Sequence, residues 1–368
     1  MNRIIDFLKK EIVLSVSFVL ALISMFFVPP SEKYFDYIDF RTLGLLFSLM
    51  TIMAGLNKMG IFRLLAKNLL NKAKTMRGVT LLLVLLCFFS SMLITNDVAL
   101  ITFVPFSVVL LKLANKQNRM IFVVTLETIA ANLGSMLTPI GNPQNLYLFS
   151  AYNMSISDFF YTIAPYAMLS LGLLVIFSLF SDKSKLANLG DREEVIFDKR
   201  LLTMYAVLFA IALLSVFRVL NYIVLLAVVI VFVLIFDRKV LLKVDYSLLF
   251  TFVFLFIFIG NLGNIAQINS WLSEIVGGNE VVVGVLASQV FSNVPAAILL
   301  SGFTCNAAAL MIGVNIGGLG TLIASMASLI SFKFIQKESV SIAKYLGVFT
   351  LLNVVFLAAN LALWVVVK

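Results

Sequence analysis

The chain has no histidine in 368 residues and only two cysteines, Cys87 and Cys305. Without imidazole, the commonest metal ligand and proton shuttle is missing, along with the two-histidine helix of membrane metalloproteases, so no transition-metal site is expected. There is no glycine-rich phosphate loop ending in Lys-Ser or Lys-Thr, which removes ATP hydrolysis by that route. Gly317-Gly318-Leu319-Gly320 lies inside an apolar run and is not a dinucleotide fingerprint. No nucleophile and base pair stands out. An enzyme is therefore not expected, nor a cofactor, and a membrane receptor or intramembrane enzyme is the weaker alternative class. Charge is scarce as well: 12% of residues are charged against 62% hydrophobic. Such a composition does not build a soluble fold.

What is there is a series of apolar runs near the length that spans a bilayer. They predict an all-α integral membrane protein with spans at about 12–28, 41–57, 120–148, 161–181, 201–217, 222–236, 247–263, 307–332 and 346–367. Two further segments, 78–111 and 281–303, read as re-entrant hairpins with tips at Asn96 and Asn293. The formal charge of +9 raises nucleic-acid binding, but the basic residues lie in short loops and form no stripe. The positive-inside rule accounts for them better. With the amino terminus in the cytoplasm, Arg3, Lys9, Lys10, the cluster from Lys58 to Arg77, Lys112, Lys116, Arg119, the cluster from Lys183 to Arg200, Arg238, Lys239, Lys243, Lys333, Lys337 and Lys344 all face inside. Lys33, Arg41, Arg218 and Lys368 fall outside. Treating 78–111 as one crossing would invert this pattern up to the second hairpin. The expected topology is therefore nine crossings in the cell membrane with an external carboxyl terminus. The first 30 residues resemble a signal sequence without an evident small-x-small cleavage site, and are expected to stay as the first span. Cys87 and Cys305 lie in hairpins that enter from opposite faces, so no disulfide is expected.

Two distant stretches carry the same order of signals. The first reads Thr95-Asn96-Asp97, then Asn132-Leu133-Gly134, Thr138 and Gly141-Asn142-Pro143; the second reads Ser292-Asn293-Val294-Pro295, then Asn315-Ile316-Gly317 and Thr321. Asp39-Phe40-Arg41-Thr42-Leu43 before one span likewise parallels Asp245-Tyr246-Ser247-Leu248-Leu249 before another. Amphipathic segments from Ile61 to Ala73 and from Ile265 to Val276 follow these spans. The topology gives the two halves opposite orientations, so inverted repeats are expected. The organisation predicted is an amino-terminal span and loop at 1–38, a first repeat at 39–185, a connector with central spans at 186–244 and a second repeat at 245–368.

A straight helix from Met120 to Ser150 would exceed the hydrocarbon core by about half at 1.5 Å per residue. Pro139 and Pro143 lack backbone donors, Gly134 and Gly141 tolerate non-helical backbone, and Asn132, Asn142 and Asn145 can satisfy the freed groups, so this span is expected to break. The second repeat offers Gly317, Gly318 and Gly320 for the same purpose but no proline. Unwound carbonyls suit small cations, and the amino ends of half-helices suit anions. Helix-breaking polar residues at membrane depth are tolerated where they line a protein-walled cavity, which makes a secondary transporter the expected function. Asp97 and Glu127 also lie at depth, where an acid costs about 2.5–3.5 kcal/mol, so both are candidates for a proton relay or a cation ligand. Glu127 shares a helix face with Ala130, Ala131 and Gly134 that can pack on the first hairpin.

Thr95-Asn96-Asp97-Val98-Ala99-Leu100 with Val104-Pro105, Gly141-Asn142-Pro143-Gln144-Asn145 and Ser292-Asn293-Val294-Pro295 resemble the ion transporter superfamily of divalent anion/sodium symporters, citrate transporters and arsenite permeases. The resemblance covers nearly the whole chain. It implies a substrate site at Thr95, Asn96, Gly141, Asn142, Pro143, Ser292, Asn293, Val294 and Pro295. For a coupling-ion site taking sodium or a proton, the resemblance implies Asn96, Asn293, Asn315, Gly317 and Thr321, to which the acids at depth and the helix break add Asp97, Glu127, Asn132 and Gly134. Elevator-type alternating access and a homodimer are implied by the resemblance alone. The symporter tips read Ser-Asn-Thr; here Asp97 and Val294 replace the threonines. An ionised Asp97 would repel a dicarboxylate, and the Asn-Asp pair resembles arsenite-permease-like members. The expectation is a proton- or sodium-coupled transporter of a small anion or oxyanion, with an arsenite or antimonite efflux permease or a sodium/proton antiporter as the alternative.

Overall fold

The computed structural model describes residues 11–59, 75–184 and 198–367, and its regular elements are helices. The segment from Ile61 to Ala73 lies outside the described residues. After α1 (Ile12–Phe27) and the short α2 (Lys33–Tyr37), the segment expected as the first repeat contains α3 (Phe40–Lys58), α4 (Met76–Ile94), α5 (Asn96–Leu113), α6 (Met120–Ser135), α7 (Pro143–Ala151) and α8 (Ile156–Leu179). The central spans are α9 (Lys199–Val216) and α10 (Tyr222–Phe236). The segment expected as the second repeat contains α11 (Tyr246–Gly263), α12 (Ala266–Val276), α13 (Glu280–Phe291), α14 (Asn293–Ser301), α15 (Ala307–Ile316), α16 (Met326–Ile335) and α17 (Ile342–Val367). Among the described residues, six helices are long and apolar enough to cross a membrane. The two broken spans fall below that length because each is cut in two, as the expected unwinding requires. The second breaks without a proline, between Ile316 and Met326.

Polar residues fix the helix starts. Asp39 accepts from the Thr42 amide at 2.9 Å and Asp245 from the Leu248 amide at 3.0 Å, each satisfying one of the unpaired donors of a first turn. Their backbones match, with φ and ψ of −77° and 85° against −79° and 84°. These two residues thus open the two repeats in the same conformation.

Both paired segments turn back on themselves. Met76 and Arg77, at the start of α4, donate to the carbonyls of Ser184 and Asp182, while Lys116, just beyond α5, reaches the Asp182 carboxylate at 3.3 Å. The two ends of the α4–α5 pair therefore meet the same short segment. In the α13–α14 pair, Thr304 beyond one arm donates to Glu280 at the head of the other at 2.9 Å. The two cysteines are free, Cys87 buried and Cys305 exposed.

Packing sorts the helices into two groups. The hairpins, both broken spans, α8 and α17 pack on one another. The other group is α1 against α11, and α9 and α10 against α3. Within it, buried Asn261 on α11 donates to Ser24 and Tyr34, both at 2.9 Å, and Lys58 on α3 pairs with Asp237 beyond α10 at 2.8 Å. Gly55 on α3 lies where an added Cβ would stand 2.2 Å from the Tyr205 ring of α9, so only glycine admits that approach. Contact between the groups runs mainly through α11 against α14, and α3 against α5 and α7.

Candidate functional site

The two hairpin tips share an unusual backbone. Thr95 has φ 70° and ψ 153°, Ser292 has φ 73° and ψ 155°, a region that residues with a Cβ rarely occupy. In each repeat this strained residue halts the first arm and starts the second at Asn96 or Asn293. Seven residues before each tip, the hairpin receives a glycine of the broken span. A Cβ on Gly134 would stand 2.2 Å from the Phe88 carbonyl oxygen, and one on Gly317 would stand 2.9 Å from the Val285 Cα. The Asn-x-Gly signals are therefore the points where each broken span presses against its hairpin.

The two breaks hold each other through side-chain bonds that recur at matching positions of the two segments. Ser325, which precedes α16, donates to Asn132 Oδ1 at 3.0 Å, and Asn142, which precedes α7, donates to Asn315 Oδ1 at 3.3 Å. Three residues further on, Asn132 Nδ2 reaches Ser328 at 3.4 Å while Asn315 Nδ2 reaches Asn145 at 2.7 Å. Thr138 and Thr321 also correspond, donating to the carbonyls of Met92 and Gln289 respectively. The first tip joins this network directly: Asn96 Nδ2 donates to Asn132 Oδ1 at 3.1 Å, and the Asn96 amide donates to the Gly141 carbonyl at 3.2 Å.

Four helices begin around one small cavity. Its wall carries Asn96 and Asp97 of α5, Pro143 and Gln144 of α7, Asn293 and Val294 of α14, and Met326 and Ala327 of α16, closed by Leu248 and Ser325. Each helix start carries partial positive charge on unpaired amides. Asn142 caps α7 through the Asn145 amide at 2.9 Å, and the first two amides of α5 are taken by the Gly141 carbonyl and by Asn96 Oδ1 at 3.0 Å, whereas Ser292 and Ser325 make no side-chain cap, so the starts of α14 and α16 keep donors for a ligand. The cavity is about 10 Å³, room for about one water, and presents these donors to an acceptor oxygen. It adjoins a larger one of about 1150 Å³, since Asp97, Pro143, Leu248 and Met326 line both. Thr95, Asn142 and Asp245 face the larger space, as do Lys58, Lys243 and Lys333.

Of the residues expected from sequence, Thr95, Asn96, Asp97, Asn142, Pro143, Asn293 and Val294 line one or both cavities. Gly141, Asn132, Gly134, Asn315 and Gly317 form the supporting network and contacts behind them. Ser292 and Pro295 are buried in the second tip, and Thr321 is exposed, its amide donating to Gln289 Oε1 at 2.9 Å. Glu127 lines neither cavity. It is fully enclosed, accepting from Ser107 on α5 and from Cys87 on α4 at 3.9 Å, which places it on the face expected to pack against the first hairpin. Sequence reasoning missed Gln144, Asp245, Gln289, Ser325 and Ser328. Aligning the repeats from their Asn-x-Gly signals puts Ser325 opposite Asn142, and that register was the signal available for the serines.

Comparison with known proteins agrees with this architecture. The citrate transporter family model, CitMHS, matches residues 4–309. An uncharacterised transporter of Methanocaldococcus jannaschii is 32% identical over 350 residues, covering 94% of this chain and 95% of its own length. The inner membrane protein YbiR of Escherichia coli is 32% identical over 326 residues, covering 84% and 83%. The silicon efflux transporter LSI3 of Oryza sativa is 33% identical over 162 residues, 43% of this chain and 32% of its own. Two hairpins tipped by asparagine, two broken helices and a family match across most of the sequence lead to one assignment: the chain is a multi-pass membrane protein belonging to the CitMHS citrate transporter family.

Proposed function

We propose that this protein is a secondary active transporter that moves a small anion or oxyanion, driven by a proton or sodium gradient. The convergence of four helix starts on one cavity, with the amides of α14 and α16 uncapped, carries the reading, because aligned amides at helix starts are satisfied by acceptor oxygens. Asp97 lines both this cavity and the larger one beside it, which makes it the first candidate for the coupling ion. The hairpins are re-entrant from opposite faces, the amino terminus is cytoplasmic and the carboxyl terminus external; in this orientation the larger cavity, with Lys58, Lys243 and Lys333, opens inward. Alternating access follows the elevator scheme, with the hairpin group moving against the group of α1, α3 and α9 to α11, in a homodimer. A second reading, export of a weak oxyacid such as arsenite or antimonite, is favoured by the absence of Lys and Arg from the small cavity beside Asp97. A silicon efflux transporter among the relatives supports the same reading.

The test is uptake by proteoliposomes of the purified protein under imposed proton or sodium gradients, paired with a thermal-shift screen of anions and cations. A bound ligand raises the melting temperature by mass action, and gradient-driven accumulation of a stabilising anion is the expected result. Neither stabilisation nor uptake by any anion or oxyacid would remove the reading.

A further inference from the structure

Resting on the transporter reading, we infer that Arg218 is a positioning residue that latches α7, in the hairpin group, to the group of α9 and α10 at the end of the molecule away from the larger cavity, and that its release accompanies opening on that side. Arg218 lies just past α9 and is one of the four basic residues that fall outside in the expected topology. Its Nη2 donates to the Phe149 carbonyl at 3.1 Å and stands 3.5 Å from that of Ser150, while its guanidinium lies 5.6 Å from the centroid of the Phe149 ring. Both carbonyls belong to the last turn of α7, where the helix dipole favours a cation.

The backbone at Arg218 is what a glycine would take. The Val219 amide donates to the Leu214 carbonyl at 2.8 Å and the Arg218 amide to that of Ser215 at 3.1 Å, a Schellman ending for α9, and Arg218 fills its left-handed position with φ 66°. α7 ends in the same motif, through Met154 to Phe149 at 3.2 Å and Asn153 to Ser150 at 3.3 Å, with Asn153 at φ 50°. Asparagine enters that region readily; a long side chain does so at a cost. What offsets the cost at Arg218 is the reach of its side chain across to α7. The bond is also releasable. The Phe149 and Ser150 carbonyls already accept from their own chain, so Arg218 uses a second lone pair and its departure strands no carbonyl. Among the described residues Arg218 forms no ion pair that would have to break.

The latch is tied to the site through one helix. α7 begins at Pro143 and Gln144 on the small cavity and ends beneath Arg218, nine residues or about 13 Å away. The larger cavity lies toward the other end of the second group. Tyr222, at the start of α10, meets Gly44 in the first turns of α3, whereas Asp237, beyond the end of α10, pairs with Lys58 on the wall of that cavity. With the cavity open at one end, Arg218 therefore holds α7 at the other, and a lengthwise shift of α7 breaks the contact.

A reporter cysteine tests the latch without any substrate. Ser301 is half-buried at the end of α14; the Tyr152 hydroxyl, just past α7, donates to its carbonyl at 3.0 Å. Beside it, a Cβ on Gly302 would stand 2.7 Å from Ile259 of α11, across the boundary between the groups. Full-length protein carrying Ser301→Cys, with Cys87 and Cys305 replaced by serine, is reconstituted and exposed to impermeant maleimide from the side away from the larger cavity. Arg218→Met removes the donors and keeps the Cβ, whereas Arg218→Gly also suits the backbone. Each should raise the labelling rate about tenfold, the factor that one charge-assisted bond contributes, and Arg218→Gly should melt no lower than the unsubstituted protein. Unchanged labelling in both variants would overturn the latch. Faster labelling with a lower melting temperature in both would overturn it as well, because Arg218 would then fasten the fold rather than one state of it. So would a cysteine that never reacts from that side, since the boundary would then stay shut there. Uptake, measured separately, decides the transporter reading.

Discussion

Thr95 and Ser292 hold backbone angles that cost about 1–3 kcal/mol each for a residue with a Cβ, and they do so at matching positions of two repeats. Glycine would relieve that strain and lose part of the gain to its greater freedom when unfolded, leaving a net of about 1 kcal/mol. Thr95→Gly and Ser292→Gly should therefore each raise the melting temperature while lowering transport, since a relaxed tip no longer holds Asn96 or Asn293 toward the cavity. A lower melting temperature in both would show that side-chain contacts, not strain, dominate the tips. The two intramembrane acids part company at this scale. Asp97 faces both cavities, whereas Glu127 is closed in by Ser107 and Cys87. Asp97→Asn keeps the shape and removes the charge, so accumulation against a gradient should fail even where exchange survives; Glu127→Gln should transport with unchanged ion dependence. Flux measured under separate proton and sodium gradients decides it, and the reverse pattern would move the coupling site to Glu127.

At the scale of elements, the two broken helices stabilise each other by exchanging polar contacts. Asn315 serves Asn142 and Asn145 together, so Asn315→Ala leaves buried polar atoms on both without a partner across the repeat. A double-mutant cycle of Asn315→Ala and Asn145→Ala should give a coupling of about 1 kcal/mol, within the range measured for side-chain bonds between membrane helices. Additive destabilisation would mean the contact contributes nothing. Much of this was legible in the sequence, because Asn96, Asn293, Gly134, Asn142-Pro143 and Gly317 are residues that an apolar helix excludes unless its backbone must turn, part or approach closely. Ser325 and Ser328 were legible only through the register of the two segments, since a serine in an apolar helix usually bonds back to its own backbone and by itself signals no break. Gln144 was hidden in a different way: its neighbours in Gly141-Asn142-Pro143-Gln144-Asn145 explain the turn without it. Nor does apolar length identify the first hairpin. Met76–Ile94 is long enough to cross by itself, and the segregation of basic residues was what pointed to a return.

For the whole molecule, the division of the helices into two packed groups gives the proposed alternating access a mechanical form. One of the few polar links between the groups is the bond from Thr102 on α5 to Asn57 Oδ1 on α3, at 3.0 Å beside the larger cavity. A neutral bond of this kind contributes about 0.5–1.5 kcal/mol, small enough to be made in one state and released in another. If the hairpin group slides along α3 during transport, these residues separate on every cycle. Cysteines at 57 and 102, in a background where Cys87 and Cys305 are replaced by serine, should cross-link with an oxidant or a short bifunctional reagent. Cross-linked protein should bind ligand from the cytoplasmic side, fail to accumulate it, and recover when a disulfide is reduced; each single cysteine treated alike should transport normally. Orientation is measured on the same preparation: a cysteine at Asn279 should react with impermeant maleimide only from outside, and one at Lys239 only from inside. Full transport with the 57–102 link in place would mean that α3 and α5 travel together, so that the moving boundary would have to run elsewhere, through the contact of α11 with α14.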